Sequence, residues 1–254
     1  MENSVKKISG FAIGATDGEI GKITEFYFDD ETWTIRYAVV KTGGWLSGRK
    51  VLISPRVLQS ADWENKVFPA TLTRDQVEHS PDIDTEKTVS RQQEIELYEH
   101  YAWPYYSAAG AGFYDEMGVP TLTDYLIPMN LANVEDKQKE ASGDPHLRGT
   151  REVTGYQIHA SDGKIGEVED FIIDDHSWMI RYLVVDTGNW FPGKKVILAP
   201  EWITAVKWED LSVYVDISME AVKNSPEYDP SAKLQQEYTH KLHAHYGKNI
   251  RKTP

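Results

Sequence analysis

The chain has 254 residues, 40 Asp and Glu against 27 Lys and Arg, a formal net charge of -13, 40% hydrophobic residues and no cysteine. Without sulfur it cannot build disulfide scaffolds, thiol nucleophiles, Cys-ligated zinc or iron–sulfur clusters, and its acidity disfavours direct nucleic-acid binding, which needs cations to displace phosphate counterions. No apolar run approaches the roughly 20 residues of a membrane-spanning helix, and Met1 to Lys7 lack a secretory signal, so a cytoplasmic protein with no integral membrane segment is expected.

In chain order, Asp17-Gly18 marks the first tight turn, since this pair tolerates the backbone of a hairpin. An apolar strand follows from Ile20 to Phe28, turns at Asp29-Asp30-Glu31-Thr32 and returns through Trp33 to Val40. The return run, Ile35-Arg36-Tyr37-Ala38-Val39-Val40, is rich in the β-branched and aromatic residues of a half-buried strand. Val51-Leu52-Ile53 forms a further strand closed by Pro55, which cannot donate to a ladder, and another begins near Trp63. Thr73 to Val77 reads as a short capped turn, and a Gln- and Glu-rich helix runs from about Ser90 to His100-Tyr101. From 103 to 149 the chain is first aromatic and turn-rich, at Trp103-Pro104-Tyr105-Tyr106, then a charged linker at Glu135 to Glu140.

The same series then begins again. Shifted by 145 residues, Gly10–Pro69 matches Gly155–Tyr214 without a gap at about 25 of 60 positions, far above chance. Shared residues include Asp17-Gly18 with Asp162-Gly163, Ile20-Gly21 with Ile165-Gly166, Asp29-Asp30 with Asp174-Asp175 and Ile35-Arg36-Tyr37 with Ile180-Arg181-Tyr182. Ser80-Pro81 and Ser225-Pro226 keep the offset. Short strands without long intervening helices predict a small antiparallel barrel or sandwich for each copy.

This ordered pattern resembles the PRC-barrel domain, a family named for the cytoplasmic part of the photosynthetic reaction-centre H subunit and also found in a ribosome-maturation factor. The resemblance covers residues 10–85 and 155–230, about 60% of the chain. It implies a small β-barrel that binds other macromolecules, with no cofactor and no catalytic residues to carry over. No transmembrane helix precedes the pattern and no companion domain of the maturation-factor type is evident, so neither of those functions transfers directly.

The remaining motifs weigh against chemistry. Gly188 to Lys194 has P-loop spacing, but Lys195 stands where Ser or Thr would hold magnesium, and the strand Val196-Ile197-Leu198 follows in place of a helix. His240, His243 and His245 lack a complete ligand set, and Asp29-Asp30 and Asp174-Asp175 lack EF-hand spacing, so no metal is expected. No nucleophile elbow, zinc-protease motif or dinucleotide fingerprint occurs, so the chain is read as non-enzymatic and without cofactors. The best interaction candidates are the glycine-bounded loops, with Trp45, Leu46, Arg49 and Lys50 in one copy and Trp190, Phe191, Lys194 and Lys195 in the other, because aromatics beside cations are enriched at binding hot spots. The alternative is that both tryptophans fold back onto their own copies.

The expected molecule is mainly β: two tandem small antiparallel PRC-barrel-like β-barrels with short peripheral helices. Its expected units are 5–89 and 150–234 for the barrels, 90–149 for a helix plus aromatic and charged linker, and 235–254 for a C-terminal helical tail. The expected function is non-catalytic protein binding or scaffolding, with self-association open. A ribosome or ribonucleoprotein accessory role and a peripheral photosynthetic or membrane-complex role are the alternatives.

Overall fold

The computed structural model describes residues 2–81, 91–103, 146–188, 194–232 and 234–247. The first copy comprises β1 (Glu2–Ser4), α1 (Val5–Ile8), β2 (Ala12–Ala15), β3 (Gly18–Asp29), β4 (Thr34–Thr42), β5 (Lys50–Ile53), β6 (Val67–Pro69), α2 (Arg74–Glu78) and α3 (Arg91–Tyr101). The second comprises β7 (Leu147–Gly149), α4 (Thr150–Val153), β8 (Gln157–Ala160), β9 (Gly163–Asp174), β10 (Ile180–Asp186), β11 (Lys195–Leu198), β12 (Ile203–Lys207), β13 (Ser212–Val215), α5 (Met219–Lys223) and α6 (Gln236–His245).

The expectation of two small antiparallel β-barrels with short peripheral helices is overturned. The molecule is mixed α/β, with two open sheets ordered β5-β4-β3-β2-β6 and β11-β10-β9-β8-β13-β12. Each contains one parallel pair, β2 with β6 and β8 with β13. The helices are part of the core: Leu97, Tyr98 and Tyr101 of the first copy and Leu242 and His243 of the second are buried. Closure fails because the long strands β3 and β9 change partners along their length. Register shifts at Ile23/Glu25 and Tyr27/Phe28 bend β3, a known effect of extra residues in a ladder. Its first half pairs with β2, and its second half is left to pair with β7 of the other copy.

That exchange is reciprocal. Asn3 of β1 pairs with Ile173 of β9, and Arg148 of β7 pairs with Phe28 of β3, the same register 145 residues apart. The borrowed strand satisfies backbone groups that barrel closure would otherwise have satisfied. The buried apolar side chains of both copies form one contiguous core.

Local features follow from residue chemistry. Asp17 and Asp162, in the tight turns, accept from the backbone N–H of Arg74 (2.8 Å) and Met219 (2.7 Å), so each turn also anchors a helix start. Thr73 and Gln76 complete a capping box on α2. Gly21 and Gly166 lie where a Cβ would stand 2.1 Å from the carbonyl oxygen of Lys41 and Asp186, which explains the Ile-Gly in both copies.

Candidate functional site

The turns after β3 and β9 meet where the copies join. Asp29 accepts from the N–H of Glu31 (3.1 Å) and Thr32 (2.8 Å), and Asp174 accepts from that of His176 (3.0 Å), so these carboxylates brace their own turns. Trp33 and Trp178 follow with φ of 57° and 54°, an uncommon conformation for a bulky residue. It brings their carbonyls face to face with the opposite copy: Ile180 N donates to Trp33 O (2.8 Å) and Ile35 N donates to Trp178 O (2.7 Å). Phe28 stacks on Trp33 and touches Phe171, while Trp178 lies against Phe26 and Phe68 of the first copy.

Two clefts flank this junction, at positions related by the repeat. The larger, about 800 Å³, has Arg36, Arg56 and Tyr98 of the first copy on one wall and His176, Trp178 and Met179 of the second on the other. The smaller, about 230 Å³, is lined by Trp33, Arg181, Glu201 and His243 among others. Arg56 and Tyr98 are thus replaced by Glu201 and His243, so the duplicated clefts differ in size and charge. Behind the larger cleft Arg36 is buried and ion-paired with Glu94, which also accepts from the Tyr37 hydroxyl (2.9 Å). Burial, with Tyr98 and Glu94 adding to it, holds the Tyr37 hydroxyl well above the ordinary tyrosine range.

A second pair of polar groups sits beside the exchanged strands. Asp170 accepts from the Ser4 hydroxyl and from the N–H of Lys6 (3.1 Å) and Phe171 (2.8 Å), while the equivalent Glu25 lies beside Gly149. Burial raises the pKa of both carboxyls, against the lowering effect of the hydrogen bonds to Asp170 and of Arg151 near Glu25. A carboxyl with a raised folded-state pKa holds its proton more tightly when folded, so its contribution favours the fold at low pH and is lost as pH rises through that raised value. The wild-type denaturation midpoint is therefore expected to decline relative to that of Asp170→Asn as pH rises above 3.8, the ordinary aspartate value. Urea titrations at a series of pH values test this, and parallel curves would refute it.

The loop residues singled out by sequence are not gathered into one site. Trp45 is half-buried against the core, donates from Nε1 to Ile20 O (2.9 Å) and carries the Arg74 guanidinium 4.2 Å above its ring. Leu46 also packs on the core, and Lys50 begins β5 opposite Lys41. Arg49 donates to Val77 O (3.1 Å), Ser80 O (3.2 Å) and the Ser80 hydroxyl (2.7 Å). Lys194 does the same for Lys223 O (2.6 Å) and Ser225 O (2.7 Å), so both cations tie a helix end to the sheet. Lys195 pairs with Glu169 at 2.5 Å. Trp190 and Phe191 lie outside the described residues, as do most of the P-loop look-alike and the 104–145 segment. Trp45→Ala is expected to cost roughly 2–3 kcal/mol, less than a fully buried tryptophan because part of the ring is exposed. A chemical-denaturation series measures this; an unchanged midpoint would contradict it.

His243 is turned into the core against Trp202 and Tyr182, and His245 sits 2.7 Å from Ala221 O. Among the described residues no group of three or more His, Asp or Glu is placed to hold a metal. No helix among them is long and apolar enough to cross a membrane. The cleft residues Arg56 and Met179 carry no motif; the one signal available for them was the mismatch of Arg56 with Glu201 between the copies.

A curated relative in Deinococcus radiodurans, described as an uncharacterized protein, is 35% identical over 66 residues, which is 26% of this chain. The match spans about a quarter of that protein's length (23%). The family model described as PRC-barrel domain matches residues 2–76 and 148–221, one stretch in each copy and together more than half of the chain. The chain therefore belongs to the PRC-barrel family, whose domains are non-catalytic protein-interaction modules.

Proposed function

We propose that this chain is a cytosolic scaffold whose two copies act as one rigid body and receive a protein partner in the larger junction cleft. The observation that carries the reading is the cleft itself: about 800 Å³, with walls from both copies, so that it exists only when the exchanged strands hold the copies together. Its volume suits an anchoring side-chain cluster; Trp178 and Arg56 are of the residue types that dominate binding hot spots, and Met179 is of a type enriched at interfaces. The loop residues Trp45, Leu46 and Lys50 form a proposed secondary contact, since each keeps some exposed surface.

A photo-crosslinking residue at His176, exposed beside the larger cleft, is the direct test, with Glu31 beside the smaller cleft as its counterpart. In extract of the native host, the His176 position is expected to yield a discrete adduct that Met179→Lys removes. Equal labelling from Glu31, or adducts insensitive to Met179→Lys, would overturn the cleft assignment.

A further inference from the structure

The outer face of the second sheet carries a surface that the first copy lacks. Lys164 of β9, His159 of β8, Tyr214 of β13 and Ala205 of β12 are successive cross-strand partners. Partners in register point to the same side of a sheet, so they form one row. The His159 ring stacks on Tyr214, centroids 5.0 Å and planes 17° apart, and Lys207 Nζ stands 5.0 Å from the centre of the Tyr214 ring. The alternate residues Ile158, Val213 and Ile165 are fully buried, which fixes the row as outward-facing. Lys164, Ala205 and Lys207 are exposed, and Tyr214 and His159 are half-exposed.

At the matching positions of the first copy stand Glu19, Gly14, Pro69, Ser60 and Asp62. The two copies have therefore diverged here: the second carries two lysines and two rings where the first has two carboxylates and no ring. The edges differ too. β12 ends its sheet, and no strand among the described residues pairs with its outer side. In the first copy the counterpart of β12 makes only isolated bridges, Leu58 with Ala70 and Asp62 with Val67, beside a strand ending in Pro69.

We propose that β12 binds an extended acidic segment of a partner protein by strand addition. An open edge offers a row of N–H and C=O groups that recruits an extended chain, and alternate side chains of that chain set its selectivity. On this face, the residue of an added strand opposite Lys207 is in cross-strand range of its ammonium, where a carboxylate is favoured. Two residues along, the added side chain lies over Ala205, which is too small to shield Tyr214, so a large apolar group contacts that ring. Glu167, the one carboxylate in the neighbouring row, is separated from Lys207 by Gln157 and Ser212. A nucleic acid fits less well: two lysines on a chain of net charge -13 supply too few phosphate contacts. This surface is separate from the junction cleft, so the two assignments stand or fall independently.

The test is an amide-resolved titration of the full-length chain with a capped peptide alternating Glu with Val or Phe, its Lys-for-Glu counterpart and a single-stranded oligothymidylate. The Glu peptide is expected to protect the amides of Thr204 to Lys207 from exchange and to shift His159 and Tyr214. The Lys peptide, and the Glu peptide on Lys207→Glu, should each bind at least about tenfold more weakly, the scale of one lost charge-assisted contact. Ala205→Pro should block the edge, while Arg56→Glu in the cleft should leave binding intact. The proposal fails if β12 amides gain no protection, if the Glu and Lys peptides bind equally, or if the oligonucleotide occupies the row more tightly than the Glu peptide. Lys207→Glu is a surface change, so its result does not depend on whether Ala205→Pro folds.

Discussion

Glu94→Ala is expected to destabilise the protein by about 3–5 kcal/mol, because it leaves the Arg36 guanidinium buried without its main counter-charge. The Arg36 and Glu94 side chains are 3% and 1% exposed, and a second carboxylate among the described residues, Asp29, lies 3.9 Å from Arg36 Nη1 but is already occupied with its own turn. Both side chains are almost fully buried, so removing the carboxylate leaves much of the desolvation cost of the cation uncompensated. The second copy contains the control. Thr239 occupies the Glu94 position, and Arg181 is partly exposed, with Glu2 3.9 Å away. Tyr182, the counterpart of Tyr37, faces His243 Nε2 at 3.3 Å, and burial pushes its hydroxyl up to about 12. Thr239→Ala should therefore cost less than about 1 kcal/mol, since it strands no charge. Urea denaturation of both variants tests the contrast, and similar losses would show that the ion pair is not what distinguishes the copies. The double change Arg36→Met with Glu94→Leu should recover only part of the loss, because packed apolar groups replace a buried ion pair with little penalty but the buried Tyr37 hydroxyl still loses Glu94 as its acceptor.

Phe28→Ala should cost about 3–5 kcal/mol and should weaken both copies together. Phe28 is fully buried, stacked on Trp33 at 5.4 Å and in contact with Phe171 of the second copy at 5.8 Å. It also sits opposite Arg148 in the exchanged strand β7, so the vacated space opens onto both sheets. With one contiguous core and reciprocal strands, the chain is expected to unfold in a single cooperative transition. Hydrogen exchange of β3 and β9 amides in this variant reads the coupling: both should lose protection to the same degree. Wild-type protection of β9 beside a weakened β3 would mean that the copies unfold separately.

The duplication, the individual strands and the short capped helices were legible in the residues, because period-two patterning, turn pairs such as Asp17-Gly18 and caps such as Thr73 are local signals. The role of Glu2 to Ser4 was not: three residues of mixed character form a strand only because β9 presents an unfilled edge to them. The same holds for the cations of the glycine-bounded loops. Arg49 and Lys194 were readable as surface charges, and their long side chains instead turn inward to carbonyls at helix ends about 30 residues away.

The amino-acid sequence by itself determined that one strand-rich unit occurs twice, that its membership lies with the PRC-barrel family, and that cysteine chemistry is absent. Only the tertiary structure decided that the units share a core, that each sheet stays open and borrows its neighbour's strand, and that two unequal clefts lie between them. The reason is physical. Hydrophobic period and turn chemistry act over a few residues, whereas the choice between closing a sheet on itself and completing it with another strand rests on pairings some 145 residues apart, which local pattern does not encode.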